Sequence, residues 1–265
     1  MRRFQLMEIH EQAWCPELLR NGVTDFLEFA AEMGEYFQSA APLLSETLVK
    51  IKSSSITDLC SGGGGPWKKL YPLISASLEK APSLVLSDKY PNAEAFQKIR
   101  LEFPDSVNFI SSSVDAAEVP ETAKGFRTLF GAFHHFTPPY AEAVMRNAVE
   151  NGEGIGIFEF TERSLIYFLI LFPAVFSVFI FTPFIRPFSF FRLLLTYIIP
   201  LIPLIIFIDG AVSCLRSYSS NEMMEIAGKA DPGGTYKWLS GRMKMKGPPL
   251  HINYLIGYRK DAVKS

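Results

Sequence analysis

Cysteine is scarce in this chain of 265 residues: Cys15, Cys60 and Cys214 are odd in number and far apart. That pattern fits neither a disulfide framework nor a CxxC zinc site, so a reducing compartment and no metal are expected. A field of one charge sign is also missing. Lys and Arg number 26 against 27 Asp and Glu, a formal net charge of −1, which excludes the global basic surface that nucleic-acid binding relies on. Nor does an apolar run follow Arg2 and Arg3, where Glu8 and Glu11 stand instead; no export signal is expected. Internal repeats and low-complexity tails are lacking as well.

What is abundant is apolar material. Hydrophobic residues make up 48% of the chain and the mean hydropathy is +0.15, too apolar for a disordered protein. The excess is concentrated in one place. Residues 164–208 hold ten of the 23 phenylalanines and only two charges, Arg186 and Arg192.

Ahead of that block the texture changes once. The first 50 residues place Leu18, Leu19, Val23, Phe26, Leu27, Phe29 and Ala30 at helical spacing, which predicts one or two amphipathic helices. From Ile56 to Phe160 short apolar runs (SITDL, SLVLSD, VNFISSSVD, RTLFGAF, GIGIFEF) alternate with turn signals and helical stretches, the pattern of a βαβ sheet. Behind the block, Ser219 and Glu222 have capping-box spacing, and TYKWLSGRMK and HINYLIGYRK read as two strands joined by the turn MKGPP.

The segment with chemical content is ITDLCSGGGGPW, residues 56–67. A strand ending in Asp58 and running into Gly62, Gly63 and Gly64 lets backbone pass close to a ligand, since glycine has no Cβ to block it. Taken alone the run also suits a simple tight turn. Trp67 stands where a nicotinamide-type GxGxxG needs its third glycine, and Lys68 lacks the following Ser or Thr of a phosphate-binding P-loop.

With Asp58, Gly62 and Gly64 in place and Cys60 at the position of the first motif glycine, DLCSGGGG resembles the first motif of the class I S-adenosylmethionine-dependent methyltransferases. Asp88 in LVLSDKYPN, Asp115-Ala116 in SSSVDAAEVP and the run FGAFHHFTPP follow in the order of that family's later motifs. The resemblance covers residues 56–160 and, through the last two strands, reaches about residue 260. It implies a doubly wound, mostly parallel seven-stranded α/β sheet with S-adenosylmethionine as cofactor. Asp58, Ser61 and Gly62 to Gly64 would hold its amino-acid part, Asp88 with Lys89 beside it the ribose, and Asp115 with Ala116 the adenine. His134 and His135 lie past the fourth strand, where a histidine could take a proton from an acceptor or simply pack. Glu159, at the end of the fifth strand, is open to the same two readings.

The apolar block must leave and rejoin the sheet on one side, so it is expected to form a helical hairpin. Ser164 to Ile185 is an uncharged stretch of 22 residues, long enough to cross a bilayer, whereas Leu193 to Ile208 is shorter. Five prolines, and both arginines at the tip, argue against a comfortable double span; a shallow hairpin, a full span and a soluble lid or dimer interface stay open. Asp209 bounds the block at the expected headgroup level, and Arg242, Lys244 and Lys246 are expected at the same sheet edge as the cofactor loop. The expected domains are a helical cap at 1–53, the methyltransferase-like α/β domain at 54–163 and 210–265, and the inserted hairpin at 164–209. The expected protein is membrane-associated with its globular part in the cytoplasm, and transfers a methyl group to a lipophilic or membrane-associated acceptor. A membrane-anchored binding module without turnover is the rival, and a dinucleotide oxidoreductase a distant third.

Overall fold

The computed structural model describes residues 2–246 and 250–263, the side chain of Glu32 excepted. Gly247, Pro248 and Pro249 of the expected MKGPP turn lie outside the described residues.

Local sequence sets most boundaries. Helix α1 (Glu17–Met33) starts behind Pro16 and stops at Gly34. Helix α2 (Ala41–Ile51) carries a proline in its first turn, where the missing N–H costs nothing, and ends where Lys52 turns left-handed. Strand β1 (Ser55–Asp58), α3 (Trp67–Ala76), β2 (Ser83–Leu86), α4 (Ala93–Glu102) and β3 (Val107–Phe109) follow. The Asn92 side chain caps α4 by accepting from the Ala95 N–H at 3.1 Å. Then come β4 (Phe126–Phe130), α5 (Pro138–Glu150) and β5 (Ile155–Glu159). The apolar block forms α6 (Leu165–Phe181), α7 (Phe190–Leu193), whose last turn widens as far as Ile198, and α8 (Leu201–Arg216). Helix α9 (Ser220–Ala230) opens with the Ser219–Glu222 capping box in full, and β6 (Tyr236–Lys244) and β7 (His251–Arg259) close the chain.

The chain divides into two compact units, Met1–Gly34 with Thr161–Ser217, and Glu35–Phe160 with Tyr218–Ser265. The boundary therefore falls at Gly34 rather than at residue 53: α2 belongs with the sheet, and α1 with the apolar block.

In the larger unit the described strands form one seven-stranded sheet in the order β3-β2-β1-β4-β5-β7-β6. The five strands β1 to β5 are parallel and β7 runs antiparallel to both β5 and β6, so the sheet is mixed. Helices α5 and α9 cover one face, packing Val144, Met145, Met223 and Ala227 against Leu59, Leu129, Ile157 and Leu255. On the other face Trp67 of α3 meets Phe130 edge-on at 5.6 Å. Each fully buried Leu, Ile or Phe contributes about 1.5–3 kcal/mol. The order reverses between β1 and β4, which makes their carboxyl ends the place where open α/β sheets bind ligands.

In the smaller unit Val23 and Phe26 of α1 pack with Val178, Ile185, Ile202, Ile205 and Ile206. Residues Leu165–Phe184 form the stretch that is long and apolar enough to cross a membrane by length and composition, while Phe190–Ile198 and Leu201–Arg216 meet at 76°. The second arm is thus bent, with its break at Ile199 and Pro200. Two expectations for this block are corrected. Asp209 does not bound it: it lies inside α8, buried, and accepts from the Ile9 N–H at 2.6 Å, the His10 N–H at 3.1 Å and His10 Nδ1 at 2.7 Å. Arg192 is not an exposed tip charge but is buried against Asp25 of α1, donating also to Ile185 O at 2.9 Å and Pro187 O at 2.6 Å. In both cases the partner comes from the N-terminal segment, which satisfies a charge the block by itself would leave buried and alone.

Candidate active site

The glycine loop leaves β1 at the switch point. Cys60 has φ +57°, a left-handed conformation that costs a non-glycine residue about 1–2 kcal/mol, so the cysteine occupies a backbone position suited to glycine. Gly62 follows with φ +52° and Gly64 with φ +104°. They serve different ends. A Cβ on Gly64 would sit 2.1 Å from Ile99 Cδ1, whereas a Cβ on Gly62 would meet nothing within 4 Å. Gly64 holds a backbone conformation that side chains rarely adopt, next to Ile99 of α4, and Gly62 keeps an open approach to the backbone.

Asp58 ties the loop to its neighbours. Its carboxylate accepts from Thr128 Oγ1 of β4 at 2.6 Å and from Ser61 Oγ at 2.7 Å, and its carbonyl from Ser87 Oγ at 2.8 Å. Burial pushes the Asp58 carboxyl up to about 7, against the pull of those two hydroxyl donors. Thr128 and Ser87 escaped the sequence reading, because hydroxyl residues in strands carry no motif.

Asp88 stands just past β2, half-buried. One carboxylate oxygen accepts from the Gly62 N–H at 2.8 Å and the other from the Tyr90 N–H at 2.8 Å. Each oxygen thus keeps acceptor capacity for a ligand hydroxyl. Asp115 is more occupied: Oδ1 accepts from Tyr140 OH and from the Ala117 N–H at 3.0 Å, and Oδ2 from Lys89 Nζ at 3.0 Å. Partial burial raises its carboxyl, but those three donors outweigh burial and hold it below the usual range. Desolvation, together with the hydrogen bond to Asp115 and its charge, raises the Tyr140 phenol. Lys89 therefore reaches Asp115, and a ligand donor approaching Oδ2 has to compete with it. Ala116 is buried in the core under α5 and α9. Tyr140 carries no sequence signal, since its contact spans 25 residues.

Past β4, a short turn at Phe133–His135 brings the two histidines together with ring centroids 4.2 Å apart. His134 is 3% exposed and its Nδ1 lies 2.7 Å from Glu159 Oε2 at the end of β5. The other oxygen of Glu159 accepts from the Phe133 N–H at 2.6 Å. Because a carboxylate only accepts, Nδ1 is the donor in this contact. Tyr218 reaches the same turn region, donating to Phe136 O at 2.8 Å. Around the neighbouring strand ends, Phe130 stacks on Phe158 at 4.9 Å, and Phe37 meets both Phe130 and Phe160 edge-on.

The described ends of β6 and β7, Lys244 and His251, lie at this same edge, because Glu159 pairs with Asn253 and Lys244 with His251. Lys246, however, is held by Glu35 and by Gln38 Oε1 at 3.3 Å. Two cavities of about 290 and 250 Å³, one lined by Tyr71, Phe103 and Ser106 and the other by Lys124, Arg127 and Glu153, open near the amino ends of the strands instead.

These residues suit an adenosyl amino acid: an exposed, open glycine N–H region, a carboxylate with spare acceptor capacity one strand away, and a charge-compensated carboxylate beyond it. No protein-family model and no curated protein matches the sequence. Solved structures do. The chain is 14% identical to the plantazolicin methyltransferase BpumL in complex with SAH, over 92% of this chain and 94% of that one, with a TM-score of 0.53. It is 15% identical to PigF with SAH, over 93% of this chain but 62% of that one, at 0.53. An O-methyltransferase family protein from Burkholderia thailandensis is matched at 14% identity over 84% of this chain and 56% of that one, at 0.46. The chain thus spans little more than half the length of two of these three structures, and its fold is that of the methyltransferase α/β sheet.

Proposed function

We propose that this chain is an S-adenosylmethionine-dependent methyltransferase acting on a lipophilic or membrane-associated acceptor. The observation that carries the reading is the pairing of the Gly62 N–H with Asp88 at the sheet's switch point, with open space over Gly62. When bound, S-adenosylmethionine supplies an electrophilic methyl group on a sulfonium. In this reading Gly62 to Gly64 and Ser61 bind the amino-acid end, with Asp58 fixing their loop. Asp88 accepts from the ribose hydroxyls, and Asp115, balanced by Lys89, faces the adenine with Ala116 behind it. Glu159 orients His134 through Nδ1, which makes this imidazole the candidate to take the acceptor proton, while the aromatic residues Phe37, Phe130 and Phe160 exclude water. Transfer then depends mainly on alignment of acceptor and methyl group.

Support for the membrane-associated part is the apolar stretch Leu165–Phe184, which is 17% buried and so unlike the core helix of a soluble unit. The burial of His134 favours a second reading, cofactor binding without turnover. Calorimetry with S-adenosylmethionine, followed by incubation with the methyl-labelled cofactor and a lipid extract, tests both. Binding with labelled lipid product supports the enzyme, binding without product the second reading, and no binding overturns both.

A further inference from the structure

The smaller unit carries two opposed surfaces. Along α6, Leu165, Leu169, Phe172, Phe176 and Ile180 are all more than half exposed. At 100° per residue they fall on one stripe on the opposite side of the helix from Val178, which is fully buried against α1 and α8. On either side of the α7–α8 bend, Ile198 and Leu204 are also more than half exposed. The other side is covered by α1, and α1 is charged. It seats closely, since a Cβ at Gly22 would lie 2.5 Å from Ile202 Cδ1, and it follows the hairpin to its tip, where Asp25 pairs with the buried Arg192. Exposed Glu17 and Glu28 mark its outer face.

A hairpin that crossed the bilayer would carry α1 and these charges into hydrocarbon, where charged side chains are strongly disfavoured. The 76° bend also denies the second arm a straight span. We infer that the unit is a monotopic lipid-binding element: the α6 stripe and the α7–α8 bend enter a single leaflet, α1 stays on the water side, and the tip does not reach the far surface. This deepens the membrane-associated reading above and rests on it.

The test uses the full chain added to preformed vesicles of phosphatidylcholine and phosphatidylglycerol. Phe188, exposed at the tip, is replaced by cysteine, and a membrane-impermeant maleimide is sealed inside the vesicles, with the parent chain as the labelling blank. The expected result is vesicle binding that survives high salt without lumenal labelling of F188C. In addition, L169D with F176D should lower vesicle partitioning tenfold or more. Both side chains are exposed, so the variant is expected to fold, and its circular dichroism checks this. Lumenal labelling above the blank means a spanning hairpin and overturns this inference while leaving membrane association standing. Absence of vesicle binding, with a concentration-dependent dimer in ultracentrifugation, overturns both and assigns the stripe to a second copy of the chain.

Discussion

Asp88 and Asp58 show how differently two carboxylates at one edge behave. Asp88→Ala removes the acceptor for the Gly62 and Tyr90 N–H groups along with the proposed ribose contact. Its S-adenosylmethionine affinity is expected to fall by about 1.5–3 kcal/mol by calorimetry, the range for hydrogen bonds to a charged group. Asp58 acts through pH. Its carboxyl is raised in the folded chain from 3.8 to about 7, so between those values the folded state holds a proton that the unfolded state has lost. Stability is therefore full below about pH 4, falls as pH rises towards 7, and is flat above, with a change on the order of a few kcal/mol. Urea unfolding of the parent and of Asp58→Asn across that window checks it: the fall should vanish in the variant. For His134→Asn, turnover should drop by about 10²–10⁴-fold, the usual contribution of a general base, with cofactor affinity retained. An equal loss in both would make the histidine structural.

At the scale of elements, the glycine loop separates packing from binding. Gly64→Ala has to hold a φ of +104° and displace the Ile99 side-chain tip, and is expected to lower the thermal midpoint through backbone strain. Gly62→Val meets no neighbour and costs about 1–2 kcal/mol of backbone strain, yet it should abolish cofactor binding, because the branched side chain fills the approach. Thermal unfolding and calorimetry on both variants distinguish a ligand cradle from a mere turn. The β6–β7 turn is a second case. Lys246 is paired with Glu35; if the proposed membrane association holds, the exposed Lys244 beside it would contribute about 1 kcal/mol near an anionic surface. Lys244→Gln should lose affinity for anionic vesicles and keep it for neutral ones, read by co-sedimentation.

For the whole molecule, the two units dictate which truncation is soluble. Removing residues 164–208 alone strips the partners from Val23 and Phe26 of α1 and leaves an apolar face in water, so aggregation is expected. Removing 1–34 and 161–217 together, with a short Gly/Ser bridge, takes away the complete unit. The remaining chain should run as a monodisperse species in gel filtration and still bind S-adenosylmethionine, because the proposed cofactor residues lie within 58–116.

Features set by near neighbours can be read from the residues alone. The strand runs, the glycine loop and the Ser219–Glu222 box were legible because alternation, backbone freedom and capping act over a few residues. Cys60 is a different case: its place in the motif left the loop path open, and the structure gives it a φ of +57°. Only the tertiary structure decided the contacts that join distant segments: Asp25 with Arg192, His10 with Asp209, His134 with Glu159 and Tyr140 with Asp115. A charge or ring in isolation reads the same whether it is solvated or paired. Which it becomes is set by desolvation, and desolvation exists only once α1 lies on the hairpin and β5 beside β4.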